Sequence, residues 1–216
     1  YFELAAKQNN SDAINMLGDL YYYGNGVEKD YLKAKECYEQ AAQDNNLKAI
    51  WNLGYMYFNG LGVSKNYSKA KEYYEILAKE NDSDALFNLG LMYTLGYGAE
   101  INYTKANEYY ELAAKQNNSD ALYNMGVFYL KGFGVKHNYT KAKELYELAA
   151  KQNCTKALVG LGEIYCCGIG VEKDFDKAKE YYELAAKKND PTALYNLGYF
   201  YENEIGVNKD YVKAKQ

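Results

Sequence analysis

The chain contains no arginine, so lysine alone supplies its 25 positive side chains, against 29 Asp and Glu. The planar guanidinium fork that grips phosphate or carboxylate through paired bonds is therefore missing. A formal net charge of −4 has the wrong sign for a nucleic-acid footprint, and no basic stripe appears, so nucleic acid is excluded as a partner. No apolar run approaches the roughly 18 to 20 residues of a membrane-spanning helix. His137 is the single histidine, and it occupies a position filled in the rest of the pattern by Lys29, Lys65, Ile101, Lys173 and Lys209. A Ser–His–Asp or Cys–His arrangement would have to use that exposed loop position, which has no marked partner. The chain is accordingly not read as an enzyme. Cys37, Cys154, Cys166 and Cys167 fall in four different positions of the pattern, whereas a disulfide framework would recur in matching ones. They read as free thiols and lean toward a reducing cytoplasm rather than a secreted or periplasmic setting. Cys166–Cys167 lacks the spaced second pair that zinc needs, and no metal or cofactor is expected.

What is present is one sentence respelled six times. AINMLGDLYYYGNGV at Ala13, AIWNLGYMYFNGLGV at Ala49, ALFNLGLMYTLGYGA at Ala85, ALYNMGVFYLKGFGV at Ala121, ALVGLGEIYCCGIGV at Ala157 and ALYNLGYFYENEIGV at Ala193 recur every 36 residues, without insertion or deletion. Such a period marks a repeat architecture, and stacked repeats make one elongated array. The units run 10–45, 46–81, 82–117, 118–153, 154–189 and 190–216, the last incomplete, after the tail of a preceding helix over 1–9. The chain opens and closes inside a motif, so the reading expects a segment of a longer array, with uncapped ends open to self-association.

Each unit reads as helix A, a glycine turn, then helix B. Helix A is capped by Asn10, Asn46, Asp82, Asn118 and Asp190, with Cys154 breaking the series; Pro191 takes a first helical position, where its missing N–H costs nothing. Ala121, Leu122, Met125, Gly126, Phe128 and Tyr129 cluster on one face of helix A, the packed side. Gly126 recurs as Gly18, Gly54, Gly90, Gly162 and Gly198. Helical glycine costs about 1 kcal/mol relative to alanine, so its return predicts the close approach of another backbone. The turns are GxG, with Glu204 replacing the first glycine of the sixth and predicting a less tight turn there. No strand precedes these glycines and no GK[ST] follows, so they read as helix–helix turns at positive φ rather than phosphate loops. Helix B is capped by Asp30, Asn66, Asn102, Asn138, Asp174 and Asp210. It carries apolar spacing through Tyr139, Ala142, Leu145, Tyr146 and Ala149–Ala150, and stops at Asn9, Asn45, Asn81, Asn117, Asn153 and Asn189, a residue that tolerates the left-handed region. Seven of these asparagines head N-x-S/T sequons, and capping accounts for them without a glycan.

The joint spacing of Ala, Leu-Gly, Tyr, Gly-x-Gly and Ala-Ala over the whole chain resembles the Sel1-like repeats, relatives of the tetratricopeptide repeat. The resemblance implies an all-α fold, a right-handed α/α superhelical solenoid of six 36-residue helix-turn-helix repeats, with A helices lining a concave surface. It also implies an adaptor or scaffold of the kind found in signalling, membrane-associated quality control or bacterial host interaction. The regular cysteine pairs of some exported bacterial members are absent here.

A second set of helix A positions behaves differently from the framework. One slot holds Asn15, Trp51, Phe87, Tyr123, Val159 and Tyr195; another Asp19, Tyr55, Leu91, Val127, Glu163 and Tyr199; a third Tyr22, Phe58, Thr94, Leu130, Cys166 and Glu202. Spaced i, i+4, i+7, they share one face, opposite the packed one. A solvated face should read Glu, Lys and Gln, yet the middle units stay apolar or aromatic. This strip is the expected site for a protein or peptide, with Trp51, Tyr55, Phe87, Tyr123 and Tyr195 as anchors and Phe58, Leu91, Val127, Leu130 and Tyr199 beside them. An amide row, Asn52, Asn88, Asn124 and Asn196, either pairs with the backbone of an extended peptide or bridges adjacent repeats. The rival readings are packing of the strip on neighbouring A helices, a spacer or self-assembling segment, and a hydrolytic or small-ligand pocket.

Overall fold

The computed structural model describes residues 1–215, and these form α-helices joined by short turns, with no strand among the described residues. After α1 (Phe2–Ala6), the A helices are α2 (Ser11–Tyr23), α4 (Leu47–Asn59), α6 (Ser83–Leu95), α8 (Ser119–Lys131), α10 (Thr155–Cys167) and α12 (Pro191–Asn203). The B helices are α3 (Tyr31–Gln43), α5 (Tyr67–Lys79), α7 (Tyr103–Ala114), α9 (Tyr139–Lys151), α11 (Phe175–Ala186) and α13 (Tyr211–Lys215). The expected end at Lys215–Gln216 falls partly outside the described residues, because Gln216 does. The chain divides into two compact units, Tyr1–Ala113 and the part from Ala114 onward.

Caps start these helices where the sequence predicts. Asn10, Asn46, Asp82, Asn118 and Asp190 accept the backbone N–H of the alanine three residues on, and Cys154 stands at the same place without a side-chain bond. The carboxamides of Asn66, Asn102 and Asn138 do the same for B helices. The stop asparagines all lie in the left-handed region, at φ 56–65°. Glu204 corrects one expectation: it adopts φ 56°, ψ 36° and its N–H reaches the Phe200 carbonyl, so the sixth turn keeps the geometry of the other five. The hydrogen bond that closes the turn is made by the backbone and is indifferent to the side chain, which bears only the steric cost of that conformation.

Within each unit the core is built in layers shared by one A helix, its B helix and the next A helix. In the first unit one layer joins Ile14, Ala34, Tyr38, Ala41, Ala49, Leu53 and Met56, and the next joins Ile50, Tyr57, Ala70, Tyr74, Leu77, Ala85, Leu89 and Met92. In the second unit Leu158, Val159, Ala178, Tyr182, Ala185, Ala193 and Phe200 form the equivalent layer. Fully buried alanines on helix B, such as Ala34, Ala70, Ala142 and Ala178, let neighbouring helices close up. Tyr139, expected on the packed face, is instead 45% exposed at the start of α9.

Five of the six recurrent helical glycines meet a ring as their nearest neighbour, and Gly198 is the exception. A methyl built on Gly18 would lie 2.5 Å from Cε1 of Tyr38, and one on Gly54 would lie 2.9 Å from Cε1 of Tyr74. Gly90, Gly126 and Gly162 face Tyr110, Tyr146 and Tyr182 in the same way. The close backbone approach occurs at the second glycine of the turn. A methyl on Gly98 would come within 2.6 Å of the Tyr67 carbonyl oxygen, and one on Gly62 within 2.9 Å of that of Tyr31. Both contacts join a turn to helix B of the preceding repeat, so the two glycine slots do different work: one seats a ring within a repeat, the other seats one repeat on the next.

Two stability changes follow. Gly18→Ala gains helix propensity but collides with the Tyr38 ring, and urea unfolding is expected to show a net loss of about 1–3 kcal/mol. Gly198→Ala, where the added methyl meets only the Ala214 carbonyl at 3.3 Å, is expected to stay near neutral; equal losses at both sites would refute the ring-seat account. Cys154→Asn supplies the missing cap at a position where Asn46 fits with 9% exposure, and should add about 1 kcal/mol.

Candidate functional site

The residues of the variable helix A face come to different ends. Trp51 and Tyr55, one turn apart on α4, stack with ring centroids 5.4 Å apart and planes 12° from parallel; Tyr55 is exposed and Trp51 half-buried. Phe58, two turns from Trp51, leaves the strip: its ring packs edge-on against Tyr67 and Tyr97, which stack on each other at 4.4 Å. Phe87 leans on the buried Tyr110, and Leu91 is half-buried. In the second unit Tyr123 stacks on Tyr146 at 5.3 Å, Val127 and Leu130 are half-buried, and Val159 is buried. Tyr195 and Tyr199 are exposed on α12, at 72% and 49%. Trp51–Tyr55 and Tyr195–Tyr199 thus present the largest accessible aromatic surface, while Phe58 and Val159 serve the packing between repeats.

A cavity of about 350 Å³ opens beside Trp51. Tyr23, Leu47 and Trp51 supply its apolar walls, Asn15, Asp19, Asn52 and Asp82 its polar surface, and Lys48 its exposed rim. Three consecutive repeats contribute, so the site exists only once the A helices are stacked. Asp19 is its hub. Its Oδ1 accepts the Tyr38 hydroxyl at 2.7 Å and the Asn52 amide at 3.3 Å, and its Oδ2 accepts the Asn15 amide at 3.4 Å. Burial and the Asp19 contact both hold the Tyr38 hydroxyl far above the ordinary phenol range, so it stays a proton donor. Asn52 also donates to Asn15 Oδ1 at 3.2 Å, and Asn15 is 2% exposed.

The amide row therefore spends donors inside the protein. Asn52 bridges to the preceding repeat, and Asn88 reaches back to the Asp84 carbonyl of its own helix at 2.8 Å. Asn124 is half-buried. Glu163 occupies the Asp19 slot in the second unit. It is exposed at one edge, yet the protein mass packed beside it partly desolvates the carboxyl and holds it above the usual carboxylate range, with the Lys131 ammonium opposing. His137 stays at the turn, its Nδ1 3.0 Å from the Leu130 carbonyl. The four cysteines are unbridged, and burial raises the thiols of Cys37, Cys154 and Cys166 above their ordinary range, away from the reactive thiolate. Among the described residues no cluster of three or more metal-ligating side chains forms, and no helix is long and apolar enough to cross a membrane.

Sequence reasoning missed one surface. Leu4, Ile76, Leu112, Leu148 and Leu184 recur at one helix B slot and are each 40–59% exposed. Their 36-residue spacing was the available signal; it was obscured because helix B otherwise reads as a uniformly amphipathic framework.

The Sel1 repeat model matches residues 11–46, 47–82, 83–118, 119–154, 155–190 and 191–216. A solved Sel1 repeat protein from Oxalobacter formigenes is 34% identical, with a TM-score of 0.88 over 96% of this chain and 85% of that one. A protective antigen of uropathogenic Escherichia coli, described as displaying an SLR fold, is 31% identical with a TM-score of 0.91 over 99% of this chain. This chain spans 46% of that antigen's solved chain. An uncharacterized Sel1-like repeat-containing protein of Schizosaccharomyces pombe is 54% identical over 39 residues, 18% of this chain and 6% of that protein.

Because a carboxyl raised by the fold costs stability when ionised, Glu163→Gln is expected to raise the thermal midpoint near pH 7. The gain should fade as pH drops through the raised folded value to below the unfolded value of about 4.3. A midpoint shift of the same size at about pH 3.5 would assign the effect to packing instead.

Proposed function

The chain belongs to the Sel1 repeat family, and from that membership we propose that it is a scaffold that holds a protein or peptide segment on its helix A face, anchored at Trp51 and Tyr55. Sel1 repeats form non-enzymatic scaffolds that mediate protein–protein interaction. The observation that carries the finer reading is the Trp51 ring, stacked on the exposed Tyr55 and lining a cavity built by three repeats. Large aromatics bury much area at little conformational cost, and a rigid stacked pair has less freedom left to lose on binding. Tyr195 and Tyr199 offer a second aromatic patch in the other unit. Asn52 orients the site rather than the ligand in this reading, because its donors are engaged by Asn15 and Asp19. The four unbridged thiols, which fall in four different repeat slots, favour a reducing compartment as its setting.

Binding is tested by comparing partner capture from the source cell by the native chain and by Trp51→Ala/Tyr55→Ala. Loss of both rings is expected to weaken capture by about 30-fold or more, as for truncated hot-spot residues worth 2 kcal/mol or above. Helix content by circular dichroism should be unchanged, since neither ring belongs to the fully buried core. Undiminished capture by the folded double variant would remove the helix A face as the binding site.

A further inference from the structure

We infer that the cavity beside Trp51 is a receptor for a cationic side chain, lysine or arginine, projecting from the bound protein segment. The inference rests on the helix A face being the binding face and adds the chemistry of what enters it. Asp19 is half-buried, yet all three of its hydrogen-bond donors are neutral: a phenol and two carboxamides. Asp82, on the same cavity, accepts the Ala85 N–H through Oδ1. Among the described residues no ion pair uses either carboxylate. A carboxylate oxygen accepts about two bonds, so Asp19 Oδ2, with one long bond, retains capacity toward the cavity. Partly desolvated negative charge without a counter-ion is unfavourable until a cation supplies it.

The remaining wall suits the same guest. Trp51 and Tyr23 line it, and aromatic rings attract an ammonium or guanidinium group through the ring quadrupole. This fold already packs its own lysines that way: Lys69 Nζ sits 4.4 Å from the Tyr57 ring centroid and Lys105 Nζ 4.5 Å from that of Tyr93. At about 350 Å³ the cavity lies at the small end of the usual ligand-pocket range, about 300–1,000 Å³, which fits side chains rather than a larger organic molecule. The second unit keeps part of the pattern in equivalent slots, with Glu163 for Asp19, Tyr195 for Trp51, Asn196 for Asn52 and Tyr182 for Tyr38, while Val159 and Cys167 replace Asn15 and Tyr23. A chain with excess negative charge and no arginine of its own complements a basic partner.

Trp51 is the only tryptophan, so its fluorescence reports on the cavity directly. The experiment titrates the protein with tetralysine, tetra-arginine and fully Nε-acetylated tetralysine. A saturable change with the two cationic peptides, weakened by salt and absent with the acetylated one, is the expected result. Asp82→Asn keeps a helix cap, since asparagine caps three of the other A helices, and should weaken tetralysine about five- to tenfold. Asp19→Asn should do the same while retaining a carbonyl for the Tyr38 hydroxyl, and Lys48→Ala should strengthen binding. An equal response to acetylated tetralysine, or none to either cationic peptide, overturns the inference. Partner capture by the Trp51→Ala/Tyr55→Ala variant reads the helix A face separately, so a failed cation receptor and a failed binding face give different outcomes.

Discussion

A tyrosine ring laid against a helical glycine is the contact on which each complete repeat depends. At Gly18, Gly54, Gly90, Gly126 and Gly162 the ring of Tyr38, Tyr74, Tyr110, Tyr146 or Tyr182 fills the space that a methyl group would need. Helix A gives up intrinsic propensity at that point and gains a flat aromatic surface buried between two helices. Fully buried alanines along helix B extend the close approach on either side of the ring. The second turn glycine then seats the next repeat against the start of helix B, as Gly98 does on Tyr67. Ring seat and turn seat together leave little latitude in how one helix pair follows another, which accounts for a 36-residue period kept without a single insertion.

The same contact creates the chemistry of the helix A face. A buried tyrosine hydroxyl favours a hydrogen-bond partner, and Tyr38 and Tyr110 find theirs in the variable slots. Tyr38 donates to Asp19. Tyr110 lies 3.1 Å from Thr94 Oγ1; the Thr94 hydroxyl has a carbonyl acceptor at Gly90, so the phenol donates to it. The face that varies between repeats is therefore wired to the core that does not. Where the partner is a carboxylate, as at Asp19, neutral donors hold it in place and leave its charge uncompensated at the edge of a cavity.

Likeness to solved relatives follows from this division. A TM-score of 0.91 at 31% identity means that the backbone course is kept while about two thirds of the side chains differ. Partner chemistry does not travel with the fold, because one backbone can carry many different surfaces.

Much of this protein is local and periodic, and sequence alone determined it. Caps, left-handed stops, glycine turns and the buried stripe each depend on residues within one or two turns of each other, so spacing was enough to place Asn46, Gly60, Asn66 and Asn81. The function of the helical glycine was half legible: its return announced a close neighbour, but the neighbour's identity lies twenty residues away and only packing revealed a ring. Tertiary structure alone decided which members of the variable strip stay accessible. Phe58 and Trp51 look interchangeable in the strip, yet Phe58 is drawn into a cluster with Tyr67 and Tyr97 while Trp51 stacks on Tyr55 at the surface. Exposure depends on side chains supplied by other helices and neighbouring repeats, as does the meeting of Asp19, Asn52 and Asp82 around one cavity. A one-dimensional pattern carries no information on those distances until the helices are stacked.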